Sequence, residues 1–594
     1  MNLSEHIIPW HTLQPTLTLN LDINQLPLTA VSFFDLQPRA RAAVLQFLQN
    51  SHRTLLVLKA DELQEYASAV ENFVKLQQNH HQTVSGVHYI VEQADSFSFA
   101  QVYVEAARSR EDNFAAKKDV ASALYFDVAQ LLGSIRIHPT SKDIQLNAGL
   151  VHQVNNGVLI LSVSALLAQF DLWPRLKQIL TTKTFDWYSA HPFKALPCEI
   201  PSYPLNLKVI LLGNRTDLAA LAELEPDLYD LADYSEVDNY LNIEQKTEQL
   251  QWIKYVQTFT RQQGFPPLTA DGLNKLYQLL VRESEDRTLI NISPLKLKEI
   301  LSRTALDTNG KPLSAVDFER FFQQKTQQQG FLREQNYADI LHEQVYVETE
   351  GEVIGQINGL SVIEYAGTPL SFGEPSRISC IVQFGDGEVV DIERKSELAG
   401  NIHGKGIMIA EACLANILDF PSQLPFSARL VFEQSYGEID GDSASLAAFC
   451  VLTSALSNLP LPQSIAITGA IDQFGLVHAV GGVNNKIEGF FAICERRGLT
   501  GKQGVIVPSS TLNQLCLTDE VVSAVKNQQF FIWAVEDVFQ TCEILFKRDL
   551  IEEEERKYNA DNLPIAQLIA QRVERRGELH NQSTGLWTML FGKK

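Results

Sequence analysis

The sequence lacks the features of membrane-spanning and secreted proteins. Nowhere in its 594 residues do eighteen uncharged apolar residues stand together, and the amino-terminal segment has no basic stretch followed by a long apolar run. A transmembrane helix needs about 20 predominantly apolar residues, and a secretory leader needs a basic region and then an apolar one. We therefore expect a cytoplasmic protein that has no membrane partner.

Basic residues and paired cysteines are also scarce. Lysine and arginine total 49 against 71 aspartate and glutamate residues, so the net charge is -22. Such a charge repels a phosphate backbone, and nucleic acid is not expected as a partner. The seven cysteines are odd in number, lie far apart and mostly stand in apolar runs, as reduced core thiols do. The sequence therefore predicts neither a disulfide framework nor a metal site.

The first part of the chain alternates short apolar runs with helical patterns. The runs at 53–60, 156–170 and 207–214 each lead through a loop into a helix. This order is typical of a parallel sheet with helices on both faces. We predict an α/β module over residues 1–245, and the total length leaves room for two or three further domains.

The rest of the chain changes character twice. Residues 246–344 repeat apolar residues every three or four positions and predict a helical subdomain, in which one helix begins at Pro294 with Ser293 as N-cap. Strands dominate over 345–545, with a few helices and a hairpin predicted to turn at 385–387, so this domain is α+β. Residues 546–594 form a C-terminal tail.

One serine stands at an unusual place. The segment EIDGDSASLAAF, residues 438–449, sets Ser443 beside acids and just before an apolar helix. A serine hydroxyl is a weak nucleophile near neutral pH and needs a base within hydrogen-bond reach. No G-x-S-x-G motif surrounds Ser443, and His403 and His478 lack an obvious orienting carboxylate motif. The alternative base is a lysine whose pKa is lowered by burial.

Lys486, in AVGGVNNKIEGFFAIC, is the best candidate for that base. Adjacent glycines allow close backbone approach, and the apolar helix around the lysine disfavours an ammonium ion. We hypothesise that Lys486 takes the Ser443 proton, that Ser443 attacks a peptide carbonyl, and that backbone N–H groups at the helix start bind the oxyanion. Taken alone, a serine at such a place is far more often a helix N-cap, and a lysine in a helix is nearly always a solvent-facing charge.

Three segments together resemble a known family. DGDSAS (440–445), SIAITGAI (464–471) and VGGVNNKIEGF (480–490) are similar to the proteolytic domain of the Lon proteases, nearest to the archaeal-type branch and related bacterial proteins. The resemblance implies a Lon-type proteolytic domain over 345–545 with Ser443 as nucleophile and Lys486 as general base. It also implies that Thr468 hydrogen-bonds the lysine and that Asp440 is an acid near the dyad. Without the resemblance, Thr468 is a plain strand residue and Asp440 a turn former.

The amino-terminal module resembles the AAA+ core of the same branch. The similar segments are LLGSI (131–135), AGLVHQVNNGVLILS (148–162) and VILLGN (209–214). The resemblance implies an AAA-like module over 1–245, a lid subdomain over 246–344, and Asn214 as a degenerate sensor asparagine.

The motifs that a nucleotide-hydrolysing module needs are missing. No G-x-x-x-x-G-K-[ST] segment occurs, Ser162 and Val163 replace the Asp-Glu pair at the strand end, and no arginine finger is visible. The resemblance by itself implies ATP. From the missing motifs we expect that no cofactor is required and that ATP is not hydrolysed by the usual mechanism.

The predicted function follows from the resemblance. It implies a serine endopeptidase that forms a homo-hexamer and hydrolyses peptide bonds in unfolded or loosely folded polypeptides. Two alternatives stay open at this point. One is an ATP-dependent Lon protease with a non-standard nucleotide site, and the other is a chaperone or adaptor whose peptidase is latent.

Overall fold

The structure is a computed structural model that describes residues 6–19, 30–77, 86–93, 95, 98–109, 111–189, 194–306, 308–420, 423–553 and 556–575. Its helices are Pro38–Gln49 (α1), Gln64–Gln77 (α2), Val128–Leu132 (α3), Leu150–Gln153 (α4), Val163–Leu167 (α5), Leu172–Thr182 (α6), Arg215–Leu224 (α7), Leu228–Leu231 (α8), Lys246–Gln262 (α9), Ala270–Ser284 (α10), Pro294–Thr304 (α11), Ala315–Gln329 (α12), Phe331–Leu341 (α13), Ile392–Lys395 (α14), Asn401–Ile417 (α15), Ser445–Ser457 (α16), Val483–Arg497 (α17), Asp519–Lys526 (α18) and Val538–Phe546 (α19). A last helical stretch covers 565–575.

The strands are Leu55–Lys59 (β1), Val87–Glu92 (β2), Gln101–Ala106 (β3), Val120–Ala123 (β4), Ser134–Ile137 (β5), Ile144–Asn147 (β6), Val158–Ser162 (β7), Thr184–Phe185 (β8), Tyr203–Pro204 (β9), Lys208–Gly213 (β10), Asp233–Glu236 (β11), Tyr240–Asn242 (β12), Leu289–Asn291 (β13), Glu352–Ile354 (β14), Gln356–Glu364 (β15), Ser371–Gly387 (β16), Val389–Asp391 (β17), Leu424–Phe432 (β18), Pro460–Pro462 (β19), Ile465–Ile467 (β20), Ala470–Ile471 (β21), Val477–His478 (β22), Gln503–Pro508 (β23) and Phe530–Val535 (β24).

Residue contacts divide the described chain into two units. Unit A consists of the described residues within Leu21–Pro267 and Asn291–Pro312, and unit B of those within Met1–Asn20, Leu268–Ile290 and Leu313–Lys594. The helices between 246 and 344 fall into both units, with α9 and α11 in unit A and α10, α12 and α13 in unit B. The four ranges 1–245, 246–344, 345–545 and 546–594 therefore do not coincide with the units and remain predictions.

Unit A is built on a five-stranded parallel sheet. The strand order is β11-β1-β10-β7-β4, and every neighbouring pair is parallel. All five residues of β7 are buried, which explains the unbroken apolar run that the sequence shows there. The predicted parallel α/β module is confirmed. Because the strands are parallel, the ends of β1, β7 and β10 lie at one edge of the sheet, where such folds usually bind ligands.

Unit B is built on a seven-stranded mixed sheet in the order β17-β18-β16-β15-β20-β23-β24. In β20, Ile465 and Ile467 belong to the apolar core that contains α16, whereas Ala466 belongs to the core that contains α17. Alternate strand residues point to opposite faces, so the two helices cover opposite faces of the sheet. The α+β class predicted for this part is confirmed, and β21 and β22 form an antiparallel hairpin.

The prediction of a hairpin turn at 385–387 is wrong. Strand β16 runs on to Gly387 and pairs antiparallel with β18, with an irregularity between Phe384 and Gly387. Gly385 takes a φ of +137°, which absorbs this irregularity. The chain then passes to the other side of β18, where β17 pairs parallel with it. The two glycines therefore serve a bulge, not a two-strand turn.

The amino-terminal residues belong to unit B. Ile7 pairs with Trp533, and the Ile8 N–H donates to the Ile532 carbonyl over 2.9 Å. This contact covers the outer edge of β24, which would otherwise expose unpaired backbone groups.

In the ranges that the structure describes, no helix combines the length and apolar character that a bilayer crossing demands. The almost fully buried helix α16 has 13 residues. At about 1.5 Å per residue it spans roughly 20 Å, which is less than the roughly 30 Å of a hydrocarbon core.

Candidate active site

Ser443 lies two residues before the first residue of α16 and is half-buried. Its carbonyl accepts the Gly469 N–H over 2.9 Å, which ties the serine loop to the segment that follows β20. Gly441 adopts a φ of +98°, a conformation that favours glycine and turns the chain into the helix. The serine is thereby fixed at the mouth of a buried helix, as its sequence predicts.

Lys486 lies in the first turn of α17. The residue is 4% exposed, and its Nζ lies 3.1 Å from Ser443 Oγ and 3.2 Å from Thr468 Oγ1. Although α16 and α17 cover opposite faces of the sheet, these side chains meet beyond the end of β20, where Thr468 stands. The structure therefore brings together Ser443, Lys486 and Thr468.

Glycines explain how α17 comes close enough to the sheet. A Cβ on Gly373 of β16 would lie 1.9 Å from the Asn485 carbonyl oxygen, and a Cβ on Gly489 would lie 2.2 Å from the Gly373 carbonyl oxygen. Gly482 takes a φ of +67°, and a Cβ there would strike Val362. Gly481, in contrast, has open space around it. Gly373 and Gly489 were missed in the sequence because their contacts join residues that are more than 100 positions apart.

Burial controls the charge of Lys486. It lowers the pKa of the ammonium from 10.5 to about 8, while the carboxylates of Glu285 and Asp442 act in the opposite direction. Removing a charge from water disfavours the charged form, and nearby opposite charges favour it. At a pKa of about 8, about a tenth of the lysine is neutral at pH 7 and about half at pH 8. A neutral amine beside a hydroxyl can act as a general base.

Asp440 contacts the start of α15, and its predicted role as an acid near the dyad stays a prediction. It is exposed, and its Oδ1 accepts the His403 N–H over 3.3 Å at the start of α15. Backbone N–H groups, first that of Gly441 and then those of His403 and Ile402, lower the pKa of this carboxyl. Among the described residues, Asp440 makes no hydrogen bond or ion pair with Ser443 or Lys486. Its contacts are those of a cap on α15.

Both histidines have carboxylate partners that the sequence did not reveal. His403 Nε2 lies 3.5 Å from Asp391 Oδ2, and His478 Nε2 lies 3.4 Å from Asp472 Oδ2. These carboxylates form no sequence motif with the histidines, and among the described residues neither His403 Nε2 nor Asp391 Oδ2 has a hydrogen-bond partner. Within the described part of the chain, however, neither histidine is hydrogen-bonded to Ser443 Oγ, where Lys486 Nζ already stands.

Backbone donors lie close to the serine. The Ser445 N–H donates to the Asp442 carbonyl and the Leu446 N–H to the Gly469 carbonyl, so two N–H groups of the first helical turn are already used. The N–H groups of Ser443 and Ala444 have no partner in the described ranges. These two groups are the ones that remain available for an oxyanion.

At the sheet edge of unit A the chain's own polar groups bind one another. Glu62, which follows β1, accepts hydrogen bonds from the Ser162 hydroxyl, from the Ser164 hydroxyl over 2.8 Å and from the Ser164 N–H over 2.9 Å. Asn214 accepts the Asp217 N–H over 2.9 Å and caps α7. A P-loop nucleotide site needs backbone N–H donors and a lysine at this edge to bind the phosphates. The carboxylate of Glu62 stands there instead, so the edge does not fit such a site.

Comparisons with known proteins show which families two parts of the chain are similar to. Residues 118–233 match the family described as LonB-like, AAA domain, and residues 437–547 match the Lon protease (S16) C-terminal proteolytic domain. The chain is 24% identical over 463 residues to the archaeal Lon protease of Methanocaldococcus jannaschii, which covers 68% of this chain and 67% of that protein.

Two bacterial relatives match over more of the chain. A Lon protease homolog of Escherichia coli K12 is 45% identical over 514 residues, or 86% of each protein. A Lon protease homolog of Haemophilus influenzae is 63% identical over 581 residues, which cover 98% of this chain and 95% of that protein. With a proteolytic domain of this type and relatives along nearly its whole length, the chain belongs to the Lon protease family.

Proposed function

We propose that this Lon-family peptidase is a serine endopeptidase with Ser443 as nucleophile and Lys486 as general base. The observation that carries the proposal is the 3.1 Å distance between Lys486 Nζ and Ser443 Oγ, with the amine almost completely buried. A lysine in this position has both the proximity and the lowered pKa that proton abstraction requires.

The reaction follows from this geometry. The neutral Lys486 amine takes the Ser443 hydroxyl proton while Oγ bonds to the carbonyl carbon of the substrate. The carbonyl oxygen becomes negative and faces the N–H groups of Ser443 and Ala444. The Lys486 ammonium then gives its proton to the leaving amine as the peptide bond breaks. A water molecule repeats the sequence on the acyl-enzyme, and the acid product and Ser443 are released.

Thr468 supports the lysine in this scheme. It is fully buried, and its Oγ1 contacts Lys486 Nζ at 3.2 Å. A buried amine loses its contacts with water, so each remaining polar partner helps to keep its orientation. Thr468 thus holds Nζ toward Ser443, and we give it no part in bond making.

The substrate that fits best is an unfolded or loosely folded polypeptide. A cleft of about 720 Å³ borders the serine loop at Asp442 and is lined by Met408 and Ile409 of α15, by Ile471 and by His478. This volume suits a few side chains of an extended segment. A tightly folded domain would have to unfold before it could enter.

We further propose that ATP is not hydrolysed by a P-loop mechanism. Glu62 occupies the edge where phosphates and magnesium would have to bind, and its hydrogen bonds to Ser162 and Ser164 close that edge. No step of the peptidase reaction needs a nucleotide. The proposed homo-hexamer rests on the family relationship alone.

Hydrolysis of a casein-like unfolded protein by the pure chain tests the proposal. We expect cleavage without nucleotide, no change on adding ATP, and loss of activity in Ser443→Ala and Lys486→Met. Lys502→Met, which removes an exposed lysine of the same unit, should leave the rate unchanged. ATP-dependent cleavage would favour a motor with a non-standard nucleotide site. If Ser443 is not acylated by a serine-directed probe and client binding is the same in Ser443→Ala, the protein is a chaperone or adaptor.

A further inference from the structure

Helix α10 contacts α17 on both sides of Lys486. After the end of α10, Glu285 Oε2 accepts the Gly482 N–H over 3.0 Å. One turn earlier, Arg282 makes a two-pronged ion pair with Glu488, with N–O distances of 2.7 and 2.8 Å. Such paired geometry is specific as well as strong. The catalytic helix is therefore held by a short segment that the sequence assigns to a different subdomain.

The first of these contacts leads directly to the lysine. Gly482 is the N-cap of α17, and its carbonyl accepts the Lys486 N–H over 2.9 Å. A single residue, Gly482, thus links the Glu285 carboxylate to the backbone N–H of Lys486. Any movement of this carboxylate changes where the first turn of α17 begins and hence where Nζ points.

The conformation of Glu285 suggests that its side chain is needed there. Its φ is +54°, and it ends α10 in the left-handed region where glycine or asparagine is usual. A residue kept in such a region is a reason to look for a functional constraint. The hydrogen bond to Gly482 supplies one.

The charges around Lys486 are few. Among the described titratable groups, Glu285 and Asp442 act on the lysine charge. Glu488, on the next turn of α17, is already paired with Arg282. Asp442 borders the open cleft, whereas Glu285 is half-buried. In lower dielectric a carboxylate acts more strongly on a nearby ammonium.

We propose that Glu285 is a positioning residue of the peptidase site, which fixes the first turn of α17 and stabilises the ammonium that Lys486 becomes when it accepts the serine proton. This inference rests on the proposed function of the Ser443–Lys486 dyad. It adds a carboxylate from outside the proteolytic segment to the machinery of the site. Glu285 acts through Gly482 and through its charge, and it does not touch the substrate.

The test separates the charge of Glu285 from its hydrogen bond. Glu285→Gln keeps an oxygen acceptor for the Gly482 N–H but removes the charge, whereas Glu285→Ala removes both. Glu283→Gln, which removes an exposed carboxylate from the same helix, is the matched control. The titration of Lys486 is followed by competitive acetylation with acetic anhydride and peptide mass spectrometry. This readout does not depend on peptidase activity, which is measured in parallel.

We expect Glu285→Gln to move the titration midpoint of Lys486 to lower pH and to shift the acid limb of the rate profile in the same direction. Its rate at high pH should fall, because a lysine with a lower pKa is a weaker base. Glu285→Ala should lose roughly 10- to 100-fold in kcat through misplacement of Nζ. A purely structural defect would lower the rate without moving the midpoint.

Two results overturn this inference. One is a Lys486 midpoint in Glu285→Gln that equals those of the wild type and Glu283→Gln. The other is full kcat in Glu285→Ala. Failure of the proposed function looks different, because the wild type itself is then inactive. The titration midpoint of Lys486 does not depend on activity, so it still tests the role of Glu285 in that case. Circular dichroism and thermal melts verify that each variant is folded, and Glu285→Asp provides a second conservative variant.

Discussion

The pH dependence of peptide hydrolysis follows from the burial of Lys486. With a pKa of about 8, the neutral fraction of the amine rises from about 0.09 at pH 7 to about 0.9 at pH 9. If the neutral amine is the base, kcat/KM rises about tenfold over these two pH units. An unburied lysine, with a pKa near 10.5, would give a rise of about 100-fold. A histidine with a pKa near 6.5 would give less than a twofold change.

The assay is the initial rate of cleavage of a fluorogenic casein between pH 6 and 10 at constant ionic strength. Intrinsic fluorescence at each pH shows that the protein stays folded over the range. A flat profile between pH 7 and 9 would refute lysine as the base, and a rise that is still steep between pH 9 and 10 would refute its burial. The same profile for Lys502→Met should overlay that of the wild type.

Three further predictions concern the surroundings of the dyad and of unit A. Thr468→Val removes one partner of Lys486 Nζ, and we expect steady-state kinetics to show a roughly tenfold lower kcat with KM unchanged. A variant in which kcat and KM change by the same factor would contradict the role assigned to Thr468. Gly489→Ala places a Cβ 2.2 Å from a backbone oxygen and should lower the free energy of unfolding by roughly 1–3 kcal/mol in urea titrations. In the control Gly437→Ala the new Cβ meets nothing within 4 Å, so its free energy of unfolding should stay within about 0.5 kcal/mol of the wild-type value. Saturating ATP should leave the melting temperature of the wild type unchanged, and an ATP-dependent rise would show that a nucleotide binds after all. In the same unit, Glu62→Ala should lower the unfolding free energy by roughly 1–3 kcal/mol, because Ser162 and Ser164 lose their hydrogen-bond acceptor.

Local sequence signals predicted three strands of the unit A sheet and the start of α11. The apolar runs of β1, β7 and β10 are continuous because both faces of a parallel sheet are buried. Pro294 begins its helix after Ser293, as the preference for proline in the first turn predicts. In the 385–387 segment the same kind of signal failed, because a pair of glycines suits a bulge as well as a hairpin turn.

The site was predictable where the motif is local and not where it depends on tertiary contacts. Ser443 and Lys486 stand in recognisable segments, and the fold brings them together. Glu285 could not be found in this way, because its contact with Gly482 joins residues 197 positions apart. Asp440, the acid predicted near the dyad, accepts the His403 N–H at the start of α15, and this contact joins residues 37 positions apart, so the sequence does not show it.

Acylation of Ser443 tests most directly whether Lys486 removes its proton. The wild type, Lys486→Met and Lys502→Met are incubated with a serine-directed acylating probe at pH 8, and the modified residue is identified by peptide mass spectrometry. We expect modification of Ser443 in the wild type and in Lys502→Met, and a rate lower by roughly 10²- to 10⁴-fold in Lys486→Met. Modification of Ser443 at the same rate in all three proteins would show that Lys486 is not the base.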